Sequence, residues 1–280
     1  MYAHRNKFIF LISISLLFLT NCNYINFETQ ISKNQKIKDW FLNTKYGKLE
    51  ASITWPSHDR SVPCLLMIHS SHGNNQKNKK ELFSLTGYPI IGMSISLPGF
   101  GSSTGPQDFG GRRSVESINQ SIFYLSKINT AKNKCIFLYA KGFGANAAII
   151  AATQNPDIQL LIIENGIFQH KKILKRIPRN IRIRLNNFLL DRDYKKKFIS
   201  SLQEIEKIKM PIFIIKNIRG KDYELEQLNK LIDILKLNNK KYKVIKIKEK
   251  KQKLIFKKII IKKRILPIIE KHLNKEIKFN

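Results

Sequence analysis

Cysteine, negative charge and long apolar runs are all scarce in this chain. Three cysteines stand in 280 residues, and setting Cys22 aside leaves Cys64 and Cys135 as the single pair that could bridge. The apolar run Phe8–Leu19 has 12 residues, too few to span a bilayer comfortably. His, Cys, Asp and Glu show no metal-ligand spacing: His69 and His72 would supply only two ligands, so no metal is expected. The glycines near 99–105 and 142–144 do not form G-x-G-x-x-G followed by an acidic residue, which excludes a dinucleotide fingerprint, and no cofactor is expected. No internal repeat is evident.

The shortage of acidic residues is marked, 20 against 51 Lys and Arg, for a net charge of +31. Residues 171–280 carry +23 of it, and Lys240–Arg264 holds 13 basic residues opposed by Glu249 alone. A nucleic-acid partner is disfavoured, because only Tyr242 and Phe256 interleave with those charges. Anionic lipid headgroups suit a membrane-tethered domain better. A compositional bias that puts lysine on every solvated face explains the same excess and is the leading reading.

What is present begins with an export-like start. Arg5 and Lys7 precede the apolar run, and Leu19-Thr20-Asn21-Cys22 follows it. Residues 1–21 read as a signal peptide and 22–37 as a polar, Asn-rich tether, leaving 38–280 as one domain. Hydrophobic residues make up 42% of the chain, enough to fill such a core. The continuous apolar runs Pro63–His69, Pro89–Ser96, Gln159–Glu164 and Pro211–Asn217 read as strands buried on both faces. Lys38–Lys45 and Leu49–Trp55 read as a hairpin turning at Tyr46-Gly47-Lys48. Lys241–Lys248 alternates apolar and basic residues, as an edge strand does. Helices are expected over Arg113–Asn129, Ala145–Thr153, Tyr223–Leu237 and Phe256–Ile277, the last broken by Pro267. Residues 168–208 read as a helical insert broken at Pro178, with Ile173, Leu174, Ile177, Ile181 and Ile183 as its apolar residues. Strands alternating with helices imply an α/β fold, a mostly parallel sheet with helices on both faces and sites beyond the carboxyl ends of the strands.

Three such ends carry unusual turns: His69–Asn75, Leu97–Ser103 and Ala140–Gly144. The last reads Ala140-Lys141-Gly142-Phe143-Gly144 between a strand, Lys134–Tyr139, and a small-residue helix. It resembles the nucleophile elbow G-x-S-x-G of the α/β-hydrolase superfamily, with Gly142 where the serine belongs. Ile68-His69-Ser70, with His72-Gly73 as a second candidate, resembles the family's His-Gly turn. Ser96-Leu97-Pro98-Gly99-Phe100-Gly101-Ser102-Ser103 is similar to its Asp-x-Pro-Gly-x-Gly-x-Ser, and Gly105-Pro106-Gln107-Asp108-Phe109-Gly110-Gly111 to a segment that follows it. The dienelactone hydrolases and serine peptidases or esterases are the nearest groups.

The resemblance implies an α/β-hydrolase fold with residues 168–208 as a lid. It also implies a triad in the order Ser, Asp, His. Here the nucleophile position is Gly142, the acid position is Gly220 with Asp222 as a possible substitute, and the base stretch Glu249–Leu254 has no histidine. His272 comes later and reads as lying on a solvated helix face. The expectation is therefore a hydrolase shape without serine-hydrolase catalysis, acting in binding or scaffolding. Its pocket, of the oxyanion-loop kind, would be bounded by His69, Ser70 and Phe143 and would take an unidentified small molecule or protein. The alternative is an active esterase or peptidase with a relocated nucleophile. The Leu-Thr-Asn-Cys sequence resembles a bacterial lipobox and implies lipid attachment at Cys22, with the domain at the envelope facing the periplasm or exterior. The family's usual strand order would set Cys64 and Cys135 on adjacent strands. Export permits a disulfide there, although cross-strand geometry seldom suits one and buried thiols are favoured.

Overall fold

A computed structural model describes residues 37–56, 61–71, 73–74, 79, 81–85, 88–129, 131–191, 198, 200–248 and 265–274. The expected signal peptide, nearly all of the tether with Cys22, His72, the base stretch 249–254 and the start of the last expected helix lie outside the described residues.

Eight strands form one sheet: β1 (Ile37–Thr44), β2 (Gly47–Thr54), β3 (Val62–Ile68), β4 (Ile91–Ile95), β5 (Ala131–Lys141), β6 (Ile158–Glu164), β7 (Ile212–Asn217) and β8 (Tyr242–Ile247). Their spatial order is β1-β2-β4-β3-β5-β6-β7-β8. β2 runs antiparallel to β1 and β4, and every other pairing is parallel. The helices are α1 (Arg112–Ser126), α2 (Gly144–Gln154), the single turn α3 (His170–Ile173), α4 (Arg179–Leu190), α5 (Asp222–Leu237) and α6 (Leu266–Leu273).

The period-two alternation of strand side chains divides the core into two layers. Leu66, Ile68, Leu138, Leu161, Ile163 and Ile214 face one side with residues of α1, α2 and α5. Leu65, Met67, Phe137, Leu160, Ile162 and Phe213 face the other, against Leu82, Leu85 and the apolar residues of α6. Covering both faces is why β3 and β4 are buried along their whole lengths and read as unbroken apolar runs. β8 is the edge strand, as expected, and Lys243 and Lys246 stand exposed on it.

One sequence expectation is corrected. The first hairpin turns at Lys45-Tyr46, with Thr44 opposite Gly47. The Thr44 hydroxyl closes it, accepting from Tyr46 N–H at 3.1 Å and donating to the Gly47 carbonyl at 2.8 Å. Pro267 stands in the first turn of α6, where no amide hydrogen is needed, and the earlier part of the expected helix, 256–264, lies outside the described residues. As favoured, Cys64 and Cys135 are buried on adjacent strands without a disulfide, and they pack in opposite layers. A bridge would have to pass through the sheet, and burial pushes the Cys64 thiol up to about 12.

The lid between β6 and β7 lies on the domain. Ile173, Ile177, Ile181, Leu185 and Phe188 form a third cluster with Phe109, Phe143 and Tyr223. Ile183 is exposed and does not share that face.

Candidate functional site

The carboxyl ends of β3, β5, β6 and β7 meet under the lid. β5 ends at Lys141, α2 starts at Gly144, and Gly142 sits between them at φ +51°. That left-handed backbone is accessible to glycine without steric penalty. The Gly142 N–H donates to the Glu164 carbonyl at 3.1 Å, and its own carbonyl accepts from Ala145 N–H and Ile167 N–H at 3.2 and 3.0 Å. The turn is thereby pinned to β6, to α2 and to the start of the lid. A Cβ built on Gly142 would stand 2.6 Å from the Ser70 Cβ. The space that a nucleophile's side chain would need is filled by the neighbouring loop.

His69 is not a pocket wall. It is 1% exposed, and its ring packs on Phe100 at 4.9 Å. Its Nε2 accepts from the Leu97 N–H at 2.8 Å, which leaves Nδ1 as the donor to the Ser70 carbonyl at 2.6 Å. Both nitrogens tie the β3 and β4 loops together, so this ring is not free to take a proton from Ser70. Ser70 and Phe143, by contrast, do line a cavity of about 170 Å³ beside Gly142.

Charged side chains dominate that cavity. Lys141, the second residue of the elbow pattern, makes a bidentate pair with Glu81 at 2.6 and 2.7 Å and lies 4.8 Å from the Tyr139 ring centroid. Glu81 is almost fully buried, so the pair is shielded from solvent. The Tyr139 hydroxyl donates to Glu164, which is buried at the end of β6. Glu224 and Lys221 complete the wall from the start of α5. Burial raises the Glu224 carboxyl above the ordinary glutamate range, and Glu164 pushes it the same way against Lys221.

Asp222 is exposed at the first position of α5 and lies outside this wall, where Glu224, two residues on, stands. Gly220 closes a turn, donating from its N–H to the Asn217 carbonyl at 2.8 Å. His272 is half-buried, not solvated: it meets the Phe137 ring edge-on at 6.1 Å, and burial lowers its pKa. It borders a depression with Ile158 and Pro211, at the amino ends of β6 and β7, away from Gly142. Among the described residues no His, Cys, Asp and Glu cluster could hold a metal ion.

Sequence reasoning passed over Glu81, Glu164 and Glu224. Glu164 closes an apolar strand, which is the one local signal; the other two converge only through folding. His170 was also passed over. It is fully buried among Phe143, Phe188 and Phe198, with centroid separations of 5.0, 6.4 and 4.3 Å, and among the described residues neither ring nitrogen makes a hydrogen bond of good geometry. Burial holds its pKa down at about 3, opposed only by the nearby Phe109 backbone.

Solved structures share this arrangement across nearly the whole chain. An acetyl xylan esterase from Paenibacillus sp. R4 superposes with a TM-score of 0.65 over 96% of both chains, at 12% identity. This is an α/β-hydrolase fold. An esterase of Pyrococcus furiosus gives a TM-score of 0.63 over 90% of this chain and 98% of its own, at 14% identity. The acylaminoacyl peptidase of Pyrococcus horikoshii gives 0.60 at 16% identity, with 78% of this chain covering 37% of the peptidase. No family model matches the chain, and no curated protein matches it in sequence.

Proposed function

We propose that this α/β-hydrolase-fold protein has lost serine-hydrolase catalysis and binds a small polar molecule in the cavity beside Gly142. The observation that carries the reading is the elbow itself. Gly142 has no side chain to form an acyl-enzyme, and Ser70 fills the place where one would stand. The esterases and peptidase with the same fold frame the comparison, and what they act on is a matter of their own sites. In this chain the cavity offers Glu81, Glu164 and Glu224 with Lys141 and Lys221, groups suited to hydrogen-bonding and ion-pairing a polar ligand. The protein acts by binding, as a receptor or scaffold, at an envelope membrane to which Cys22 tethers it.

The deciding experiment treats the full chain with a fluorophosphonate serine-hydrolase probe and maps adducts by mass spectrometry. We expect no adduct on a protein that still melts cooperatively. A stoichiometric adduct on Ser70, or on any other serine, would establish an enzyme with a relocated nucleophile and sink the proposal.

A further inference from the structure

A second concavity lies on the other side of Phe109, between α4 of the lid and the start of α1. Its volume is about 560 Å³, room for a small organic molecule, and three arginines line it: Arg112, Arg113 and Arg184. None of the three has a carboxylate partner among the described residues, whereas the fork of Arg176 is closed on Glu226 at 2.6 and 2.9 Å. Arg184 is held in place by neutral groups, donating from Nη1 to Gln107 Oε1 and from Nε to the Asn180 carbonyl, each at 3.1 Å. Gln107 is itself fixed by donating to the Gly99 carbonyl at 2.7 Å. Arg113 lies over the Tyr46 ring, 5.6 Å from its centroid.

Two carboxylates share the wall, Asp108 and Asp191. Asp108 is turned inward: it accepts from the Ser114 N–H at 3.0 Å and from the Ser114 hydroxyl. It therefore satisfies the first amides of α1, so the cationic character of the groove comes from guanidinium side chains and not from the helix end. Phe109 and Phe188 give the concavity an aromatic floor, and Phe109 is held at φ +49° to do so.

We infer that this groove is a binding site for phosphate esters, with Arg112, Arg113 and Arg184 gripping the phosphoryl oxygens and the aromatic floor meeting the organic part. Guanidinium forks match phosphoryl geometry bidentately, and arginines without carboxylate partners have their donors available. The shared chemistry covers a soluble phosphate monoester and the diester headgroup of an anionic lipid. The site is separate from the cavity beside Gly142.

The test titrates the full chain with glycerol 3-phosphate by calorimetry. It also sediments the chain with phosphatidylcholine vesicles, with and without phosphatidylglycerol. The variants are Arg112→Gln/Arg184→Gln and, as a charge-matched control at a distant depression, Lys207→Gln/Lys209→Gln. Loss of roughly tenfold or more in affinity is expected from the arginine pair alone. A saturable glycerol 3-phosphate isotherm weakened only by that pair identifies a soluble ester. Binding confined to phosphatidylglycerol vesicles, with the same selectivity, identifies a headgroup. Absence of saturable binding to both probes, or equal effects of the two variants, overturns the inference. Arg112 is exposed, so Arg112→Gln alone carries the test if the double variant melts early.

Discussion

Gly142 is the residue on which the proposed loss of catalysis turns. The turn has a positive φ, three backbone hydrogen bonds and a place between β5 and α2, so its geometry does not depend on a side chain at position 142. Putting the serine back should not restore hydrolysis. Its Cβ meets the Ser70 Cβ, and His69, the near histidine, spends both nitrogens on Leu97 and Ser70. We expect Gly142→Ser to lower unfolding stability by about 1–3 kcal/mol, from the φ strain and the collision. Ester turnover should stay at background. Urea denaturation and an ester assay check both halves, and turnover by this variant would mean that a base stands within reach after all. The glycine at position 142 of an elbow-like turn was legible because the elbow is a local pattern. The engagement of His69 was not, because its partner Leu97 lies 28 residues away on another strand end.

The lid rests on the turns beyond the strand ends and on α5 through a cluster with one misfit member. His170 is surrounded by Phe143, Phe188 and Phe198, and among the described residues its nitrogens make no hydrogen bond of good geometry. Unfolding exposes it to water, where it titrates near 6.5, while in the fold burial holds it at about 3. A depressed folded pKa means that the unfolded chain binds the proton more readily. The stability linked to His170 is therefore complete above about pH 6.5 and is lost as pH falls towards 3. The loss should be on the order of 1 kcal/mol per pH unit across that window. His170→Phe should flatten this part of the profile and raise stability at neutral pH, since an aromatic ring without polar atoms suits the cluster better. Denaturation at pH 4, 5, 6 and 7 reads the slope, and parallel profiles for the two proteins would refute the assignment. The sequence identified the insert and its break at Pro178 from composition and spacing. It misjudged Ile183, because a short amphipathic helix leaves its buried face ambiguous until the surface beneath it is known.

Across the whole molecule, two halves of unequal chemistry are joined. The domain core is a well-buried, mostly parallel sheet, and the chain as a whole carries a net charge of +31. Among the described residues no helix is long and apolar enough to cross a membrane, so the proposed membrane location rests on Cys22. If Cys22 is acylated, the full chain made in a bacterial host should partition into the detergent phase of Triton X-114, because each buried CH₂ adds about 0.8 kcal/mol of membrane affinity. Cys22→Ser should move it to the aqueous phase. Equal partitioning of the two proteins would remove the lipid from the account.

The α/β class, the strands, the edge position of β8 and the glycine at the centre of the elbow-like turn could all be read from the sequence. Each of these is written in a local period, a run of apolar residues or a short motif. Only the tertiary structure decided that Cys64 and Cys135 face opposite layers, that Glu224 and not Asp222 reaches the cavity, and that Glu81 pairs with Lys141 across 60 positions. It likewise brought Arg184 of the lid to Arg112 and Arg113. Those facts depend on which faces of distant elements meet, and meeting is set by packing of the whole core, which no local window of sequence contains.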